Sequence, residues 1–311
     1  MLSPPPTSVF VVCKPNEESL LLTSCILRYL SSHDLYLFVE PDMVESFAAL
    51  SLKLEPLNTD KGDMVDLVVT VGGDGTVIHA SSYFPKVKPL FIPIHTGSLG
   101  FLSSFNHDEY ELAISSALSS DFKTTLRYCL SGNITKNNRH FTALNEVSIE
   151  RSRHISRWSG LIGTGSVLEM HRPLMQCYCD NKLINTVVAD GLLIVTTTGS
   201  TAYSLSAGGA CVHPEIPAIL ITPICPVSRC SRPILLPGTA KITVKVLNCF
   251  HASLSVFYDG NSLNEVHEGD VVEVTLDEFP VRTICKSNST VDWFTNLETS
   301  FAWNNRVIQK R

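Results

Sequence analysis

The stretch Val71-Gly72-Gly73-Asp74-Gly75-Thr76-Val77 sets the strongest limit on what this chain can fold into. It follows Asp66-Leu67-Val68-Val69-Thr70, an apolar run that reads as a buried parallel strand. Three glycines in four positions then make a turn that no side chain crowds. Backbone N–H groups in such a turn converge on an anion, and a helix starting near Thr76 adds its positive dipole end. Asp74 puts one carboxylate among these phosphate-friendly amides. A carboxylate there repels a phosphate unless it holds a metal ion or takes a proton from an attacking hydroxyl, and both roles point to phosphoryl transfer. The plainer reading is a tight turn with Asp74 as helix N-cap, and the motif by itself leaves the two open.

The rest of the first hundred residues alternates strand and helix patterns. Val9–Cys13, Leu35–Val39, Leu67–Val71 and Leu90–Ile94 read as strands, and Glu17–Leu30 and Met43–Ser51 as helices. Such alternation predicts a parallel sheet with helices on both faces. Ligands of such sheets bind beyond the carboxyl ends of the strands, where Gly72–Gly75 and His95–Gly100 fall. One more helical pattern spans Asp108–Ser119, and then the character changes. Thr124–Leu130, Ala143–Glu150, Leu192–Thr196, Ala218–Ile221, Ala240–Val246, Ser253–Tyr258, Val271–Leu276 and Val281–Cys285 read as short strands. Turns such as Asp259-Gly260-Asn261 separate them, which predicts a second, mainly β domain. The tail from Val291 is aromatic and weakly helical.

Composition narrows the function classes. With 311 residues, 44% hydrophobic and 17% charged, the chain can bury a substantial core without staples. A net charge of −6 argues against a general nucleic-acid or membrane-surface binder. No apolar run approaches the roughly 18 residues of a membrane helix. The first residues lack a basic n-region, so no signal or transit peptide is expected. The ten cysteines are scattered, and reduced thiols with a cytoplasmic location are the expectation. Cys177-Tyr-Cys179 is poorly spaced for zinc, and no metal-ligating residues are assigned.

A second constellation runs from Asp190 to Gly209: a strand, a run of small and hydroxyl residues, and Tyr203. Small side chains let a ligand approach the backbone, hydroxyls donate to phosphate or ribose oxygens, and Tyr203 offers a face to a base. A tightly packed turn and helix with Tyr203 in the core uses the same residues.

Gly72-Gly-Asp-Gly-Thr76, Gly97-Ser-Leu-Gly-Phe-Leu102, Leu144-Asn-Glu-Val147, Asp190-Gly191, Gly199-Ser-Thr-Ala-Tyr203 and Ile221-Thr-Pro-Ile-Cys-Pro226 occur in one order. Together they closely resemble the NAD kinase family. The match starts at Lys14-Pro15-Asn16, runs through Tyr258-Asp259-Gly260 and reaches Asp292-Trp293 and Trp303-Asn304; the Lys-Pro-Asn opening, Gly97-Ser-Leu-Gly and Asp292-Trp293 look most like eukaryotic members. The resemblance implies α/β plus all-β architecture: an N-terminal Rossmann-like parallel α/β domain over 1–122 and a C-terminal β-sandwich over 123–288. A tail over 289–311 would pack back on the first domain. It implies transfer of the ATP γ-phosphate to the 2′-hydroxyl of the adenosine ribose of NAD, forming NADP, with Mg²⁺ or Mn²⁺. NAD and ATP are the implied partners, with no nucleic acid or membrane, in a homo-oligomer (dimer or tetramer).

By position, Asp74 matches the family's catalytic aspartate, in the turn of Gly72, Gly73, Gly75 and Thr76. Asn145 and Glu146 match the pair that holds ribose hydroxyls. Asp190, Thr198, Thr201, Ala202, Tyr203 and Ser206 match positions lining the dinucleotide site, and Asp259 and Gly260 match a motif near the substrate. The chain departs from the pattern at Thr197, where most members have Pro, at His95, where Asn or Ser is usual, and at Val227, where His is common. Arg151 to Pro173 is longer than the usual hairpin and basic, which reads as a solvated loop or a phosphate-binding one. Rival functions are a lipid kinase of the diacylglycerol or sphingosine type, which shares Gly-Gly-Asp-Gly-Thr, and a non-catalytic NAD sensor of the same fold.

Overall fold

Continuous apolar runs become strands covered on both faces. In the computed structural model, which describes residues 5–86, 88–97, 99–136, 139–151, 172–248 and 254–301, β1 (Ser8–Cys13), β4 (Leu67–Val71) and β5 (Leu90–His95) are buried at every position. Shorter strands accompany them: β2 (Tyr36–Val39), β3 (Leu54–Pro56), β6 (Phe105–Asn106) and β7 (Lys123–Arg127). Helix α1 (Glu17–Ser31) starts where the Asn16 side chain accepts the Ser19 N–H, carries Glu17 and Glu18 in its first turn and Arg28 in its last. Its Ile26, Leu27 and Leu30 join the core under β1 and β4. Helices α2 (Asp74–Ser81) and α3 (Tyr110–Leu118) follow β4 and β6.

One expectation changes here. Met43–Ser51 is not an α-helix but part of two 3₁₀ segments, Pro41–Met43 and Glu45–Leu50. Phe47 is the single buried residue of the second segment, so no apolar stripe sustains a full helix, and Ser51 ends it with φ 55°. The basic stretch between Arg151 and Pro173 lies outside the described residues except at its ends, as do Trp303 and Asn304.

The next strands form two antiparallel sheets. They are β8 (Leu130–Ile134), β9 (Arg139–Ala143), β10 (Glu146–Arg151), β11 (Leu174–Cys179), β12 (Lys182–Val188), β13 (Gly191–Thr196), β14 (Ala218–Ile224), β15 (Ile234–Pro237), β16 (Ile242–Asn248), β17 (Leu254–Tyr258), β18 (Asn261–Val266) and β19 (Val271–Leu276). One sheet has the order β15-β14-β13-β10-β17-β18 and the other β12-β11-β16-β19-β8-β9. Alternate residues of both, among them Val147, Ile149, Ile194, Val256, Val244 and Val272, enter one shared core, which makes the unit a β-sandwich. The opposite face of β13 is covered as well, because Leu193 and Val195 pack with Val212 and Leu220. A short helical turn, α4 (Tyr203–Ser206), follows β13.

The chain then returns to the first sheet through β20 (Val281–Cys285), which pairs parallel with β5 and antiparallel with β7. That sheet runs β3-β2-β1-β4-β5-β20-β7, and its build direction reverses between β1 and β4. The compact units are therefore residues 1–127 with 279–311, and residues 128–278. Lys123–Arg127 and Val281–Cys285, read from sequence as part of the second domain, are rungs of the first sheet, since each finds its backbone partners there. Helix α5 (Ser289–Phe301) packs on the same unit, with Phe301 tilted against Phe101 at 5.0 Å between ring centroids. Among the described residues no helix is long and apolar enough to cross a membrane.

Ile194 is fully buried on the sandwich side of β13. Ile194→Ala is expected to lower the stability of the second unit by about 2–5 kcal/mol in urea unfolding followed by circular dichroism. A loss below about 1 kcal/mol would mean that this position is not core.

Candidate functional site

The glycine turn leaves β4 at the point where the first sheet changes build direction. The Gly72 N–H donates to the Ile94 carbonyl at 2.9 Å, which ties the turn to β5. Gly73 is the N-cap of α2 and Asp74 its first residue, so the helix begins earlier than the Thr76 expected. The Asp74 carboxylate does not cap the helix. It reaches across to a strap formed by Gly97 and residues 99–103. Oδ2 accepts the Phe101 N–H at 2.8 Å, and Oδ1 accepts the Leu102 N–H at 3.0 Å and faces the Ser103 hydroxyl at 3.5 Å. Gly100 makes this possible, because a Cβ there would lie 2.1 Å from Asp74 Oδ1. The strap is pinned by buried His95, whose Nδ1 lies 2.8 Å from the Gly97 carbonyl; a carbonyl only accepts, so Nδ1 carries the proton. Above the turn the space is open: a Cβ on Gly73 or Gly75 would meet nothing within 4 Å. The arrangement holds one carboxylate in fixed orientation beside amides at a helix N-terminus.

In the second unit a different carboxylate fixes a loop. Asp259 and Gly260, with φ of 46° and 78°, form the two-residue turn between β17 and β18. Asp259 Oδ2 accepts the Leu144 N–H at 2.6 Å, and Oδ1 accepts the N–H groups of Asn145 at 2.8 Å and Glu146 at 3.2 Å. The Asn145 carbonyl accepts the Thr196 N–H, and the Thr196 hydroxyl donates to the Leu144 carbonyl at 2.7 Å. Gly199 lies flat on this loop, since a Cβ there would be 2.3 Å from the Asn145 carbonyl oxygen.

A cleft of about 680 Å³ opens on the outer face of β10, β17 and β18. Glu146, Tyr203, Asp259 and Gly260 line it, all four expected from sequence. Tyr203 is 38% exposed, so it is not a core aromatic. Burial first, then the charges of Asp259 and Glu150, push the Glu146 carboxyl up to about 7. Its Oε2 is buried without a hydrogen-bond partner, as is the hydroxyl of Thr198. Ser148, Glu150, Ser255, Phe257 and Glu265 also line the cleft and were not anticipated. For Ser148 and Glu150 the signal was present, because on β10 they alternate with core residues Val147 and Ile149 and so share the face of Glu146.

The remaining expected residues lie outside the cleft wall. The Asp190 carboxylate pairs with Arg172 at 3.2 Å, and its carbonyl accepts the Arg151 N–H. The Thr201 hydroxyl donates to the Thr198 carbonyl at 3.2 Å, Ala202 joins the 3₁₀ turn to α4, and Ser206 is exposed at the end of α4. Among the described residues no group of three or more His, Cys, Asp or Glu side chains is arranged to hold a metal ion.

Comparison with known proteins decides the family. The model of the ATP-NAD kinase N-terminal domain matches residues 9–122, and that of the ATP-NAD kinase C-terminal domain matches residues 160–285. The mitochondrial NADH kinase pos5 of Schizosaccharomyces pombe is 32% identical over 283 residues, which are 89% of this chain and 69% of that protein. The chain belongs to the NAD kinase family. The crystal structure of yeast NADH kinase complexed with NADH matches with a TM-score of 0.87 at 26% identity, over 99% of this chain and 91% of that one. A rice relative (Oryza sativa subsp. japonica) with an NAD kinase name is 34% identical over 98% of this chain, and the chain spans 62% of its length.

Against the NAD kinase pattern, the departure at Thr197 has a physical account. Its φ of −64° is the angle a proline ring would impose, and its buried hydroxyl donates to the Pro214 carbonyl at 2.8 Å. Val227 is 37% exposed, with its N–H donating to the Val188 carbonyl.

Glu146 generates a pH prediction. Its raised value means that the folded state keeps a proton the unfolded chain releases, so the stability it contributes is fully present below an ordinary glutamate value and lost as pH rises through about 7. Glu146→Gln is neutral throughout. Between about pH 5 and pH 8 the unfolding temperature of the wild type should fall relative to that of Glu146→Gln. Parallel curves for the two proteins would contradict the burial of this carboxyl.

Proposed function

We propose that the chain transfers the γ-phosphoryl group of ATP to the 2′-hydroxyl of the adenosine ribose of NAD, forming NADP. The observation that carries this reading is the Asp74 carboxylate, clamped by two backbone N–H groups at the open glycine turn. Each carboxylate oxygen has more than one acceptor site, so the clamp leaves Asp74 able to take a proton. A ribose hydroxyl is a poor nucleophile at neutral pH, and a positioned base contributes about 10²–10⁴-fold. In the proposed step the 2′-oxygen bonds to the γ-phosphorus, Asp74 receives the hydroxyl proton, and the bond to the bridging oxygen breaks to release ADP. Gly72, Gly73, Gly75 and Thr76 form the turn that receives the phosphates at the N-terminus of α2, with the Gly72 N–H kept by the Ile94 carbonyl and the open space at Gly73 and Gly75. Mg²⁺ or Mn²⁺ enters on the triphosphate as part of that substrate, supplying counter-charge.

In this reading Asn145 and Glu146 hold the ribose hydroxyls, the buried Glu146 Oε2 gaining a partner that way. Tyr203 stacks on adenine from the cleft rim. Asp190, Thr198, Thr201, Ala202, Ser206, Asp259 and Gly260 complete the dinucleotide site, Asp259 by holding the loop. The domains proposed for these tasks are the α/β and β-sandwich parts, the working form is a dimer or tetramer, and the location is cytoplasmic. The relatives named NADH kinase make the reduced dinucleotide a second acceptor to test.

The assay is NADP or NADPH formation by purified protein with ATP, Mg²⁺ and either dinucleotide. Asp74→Asn should lower kcat by about 10²-fold or more with little change in NAD affinity. Retained turnover would sink the base assignment, and NAD binding without any wild-type turnover would leave a sensor. Tyr203→Ala should raise the dissociation constant for NAD more than it lowers kcat. An unchanged constant would remove Tyr203 from the site.

A further inference from the structure

Arg127, at the end of β7, is 5% exposed. Burying a guanidinium costs far more than burying an aliphatic side chain of similar size, so its donors should serve a purpose. Its Nε donates to the Thr283 hydroxyl on β20 at 3.0 Å, which fixes the plane of the fork. Its Nη2 donates to the Phe101 carbonyl at 3.0 Å. That carbonyl belongs to the same peptide group as the Leu102 N–H, the donor to Asp74 Oδ1. A peptide group is planar, so fixing its oxygen fixes the direction of its N–H. A cation on the oxygen also polarises the group and strengthens the N–H as a donor. The outcome is an unbroken line from guanidinium through one peptide to the carboxylate.

We infer that Arg127 is a positioning residue for phosphoryl transfer, acting on the Asp74 carboxylate through the Phe101–Leu102 peptide. The inference rests on Asp74 being the base. Arg127 touches no substrate; it sets where the carboxylate points when the hydroxyl arrives. Thr283 shares the task one step further out, by orienting the fork. Misplacing a reacting group by about 1 Å costs on the order of 10²-fold in rate, so a loosened strap reads out in turnover and not in nucleotide affinity.

The test uses the full chain, with Arg127→Lys, which keeps the charge and loses the fork, and Thr283→Val, which keeps the arginine and frees it. Each is expected to lower kcat by about tenfold or more while KM for NAD stays within about twofold. Each is then combined with Asp74→Asn. If Arg127 works through Asp74, the second substitution adds no further loss of kcat once Asp74 is gone. An equal loss in both backgrounds means that Arg127 acts by another route and overturns the inference. Unchanged kcat in Arg127→Lys and Thr283→Val, with Asp74→Asn still impaired, overturns it too and leaves the base assignment standing. Full activity of Asp74→Asn removes the base and this inference together. Thermal unfolding of each variant accompanies the kinetics, and if Arg127→Lys does not fold, Thr283→Val carries the cycle alone.

Discussion

A carboxylate seated on consecutive backbone N–H groups is a charge-assisted contact whose geometry both partners fix, because the amides belong to planar peptides. Each unit of this chain depends on one. In the first, two amides of a loop hold Asp74 in place. In the second the direction is reversed, and Asp259 holds three amides of the loop that carries Asn145 and Glu146. The same contact recurs at the edges of the first unit, where Asp66 receives the N–H groups of Thr7 and Ser8, and Asp292 those of Lys286 and Ser287. At Asp74, Asp259 and Asp66 it joins segments far apart in sequence without burying an unpaired charge.

The clasp on Asp259 has a second effect. By drawing a negative charge under the 144–146 loop, it adds to the burial that keeps Glu146 protonated to about neutral pH. Two adjacent carboxyl groups thus take opposite characters: one is saturated with backbone donors, and its neighbour retains an oxygen with no partner.

Much of this was legible in the sequence, and the pattern of what was not is physical. Strands with both faces covered, β1, β4, β5 and β13, announce themselves as apolar runs. The strands that passed unread are mostly sheet edges, β3, β9, β12, β15 and β18, where a half-exposed strand tolerates polar residues that blur the period. Lys182–Val188, for example, has one fully buried residue. Of the site, the glycine turn and Asp259-Gly260 could be found because their backbone demands special residues, and Asn145-Glu146 through its resemblance to a family motif. The role of Gly100 could not, since only the fold brings its Cα against Asp74. Arg127 carries no local signal, being one arginine in a strand of the pattern Lys-Thr-Thr-Leu-Arg.

The strap over Asp74 also sets how the site answers to ionic strength. Exposed pairs such as Lys53 with Glu55, at 3.9 Å, dissolve into their counter-ion cloud as salt rises. A carboxylate bound to amide dipoles in a half-buried loop has no mobile counter-charge to exchange. Salt will therefore loosen the exposed pairs while leaving the aim of the carboxylate unchanged, so that surface and strap respond to the same variable independently.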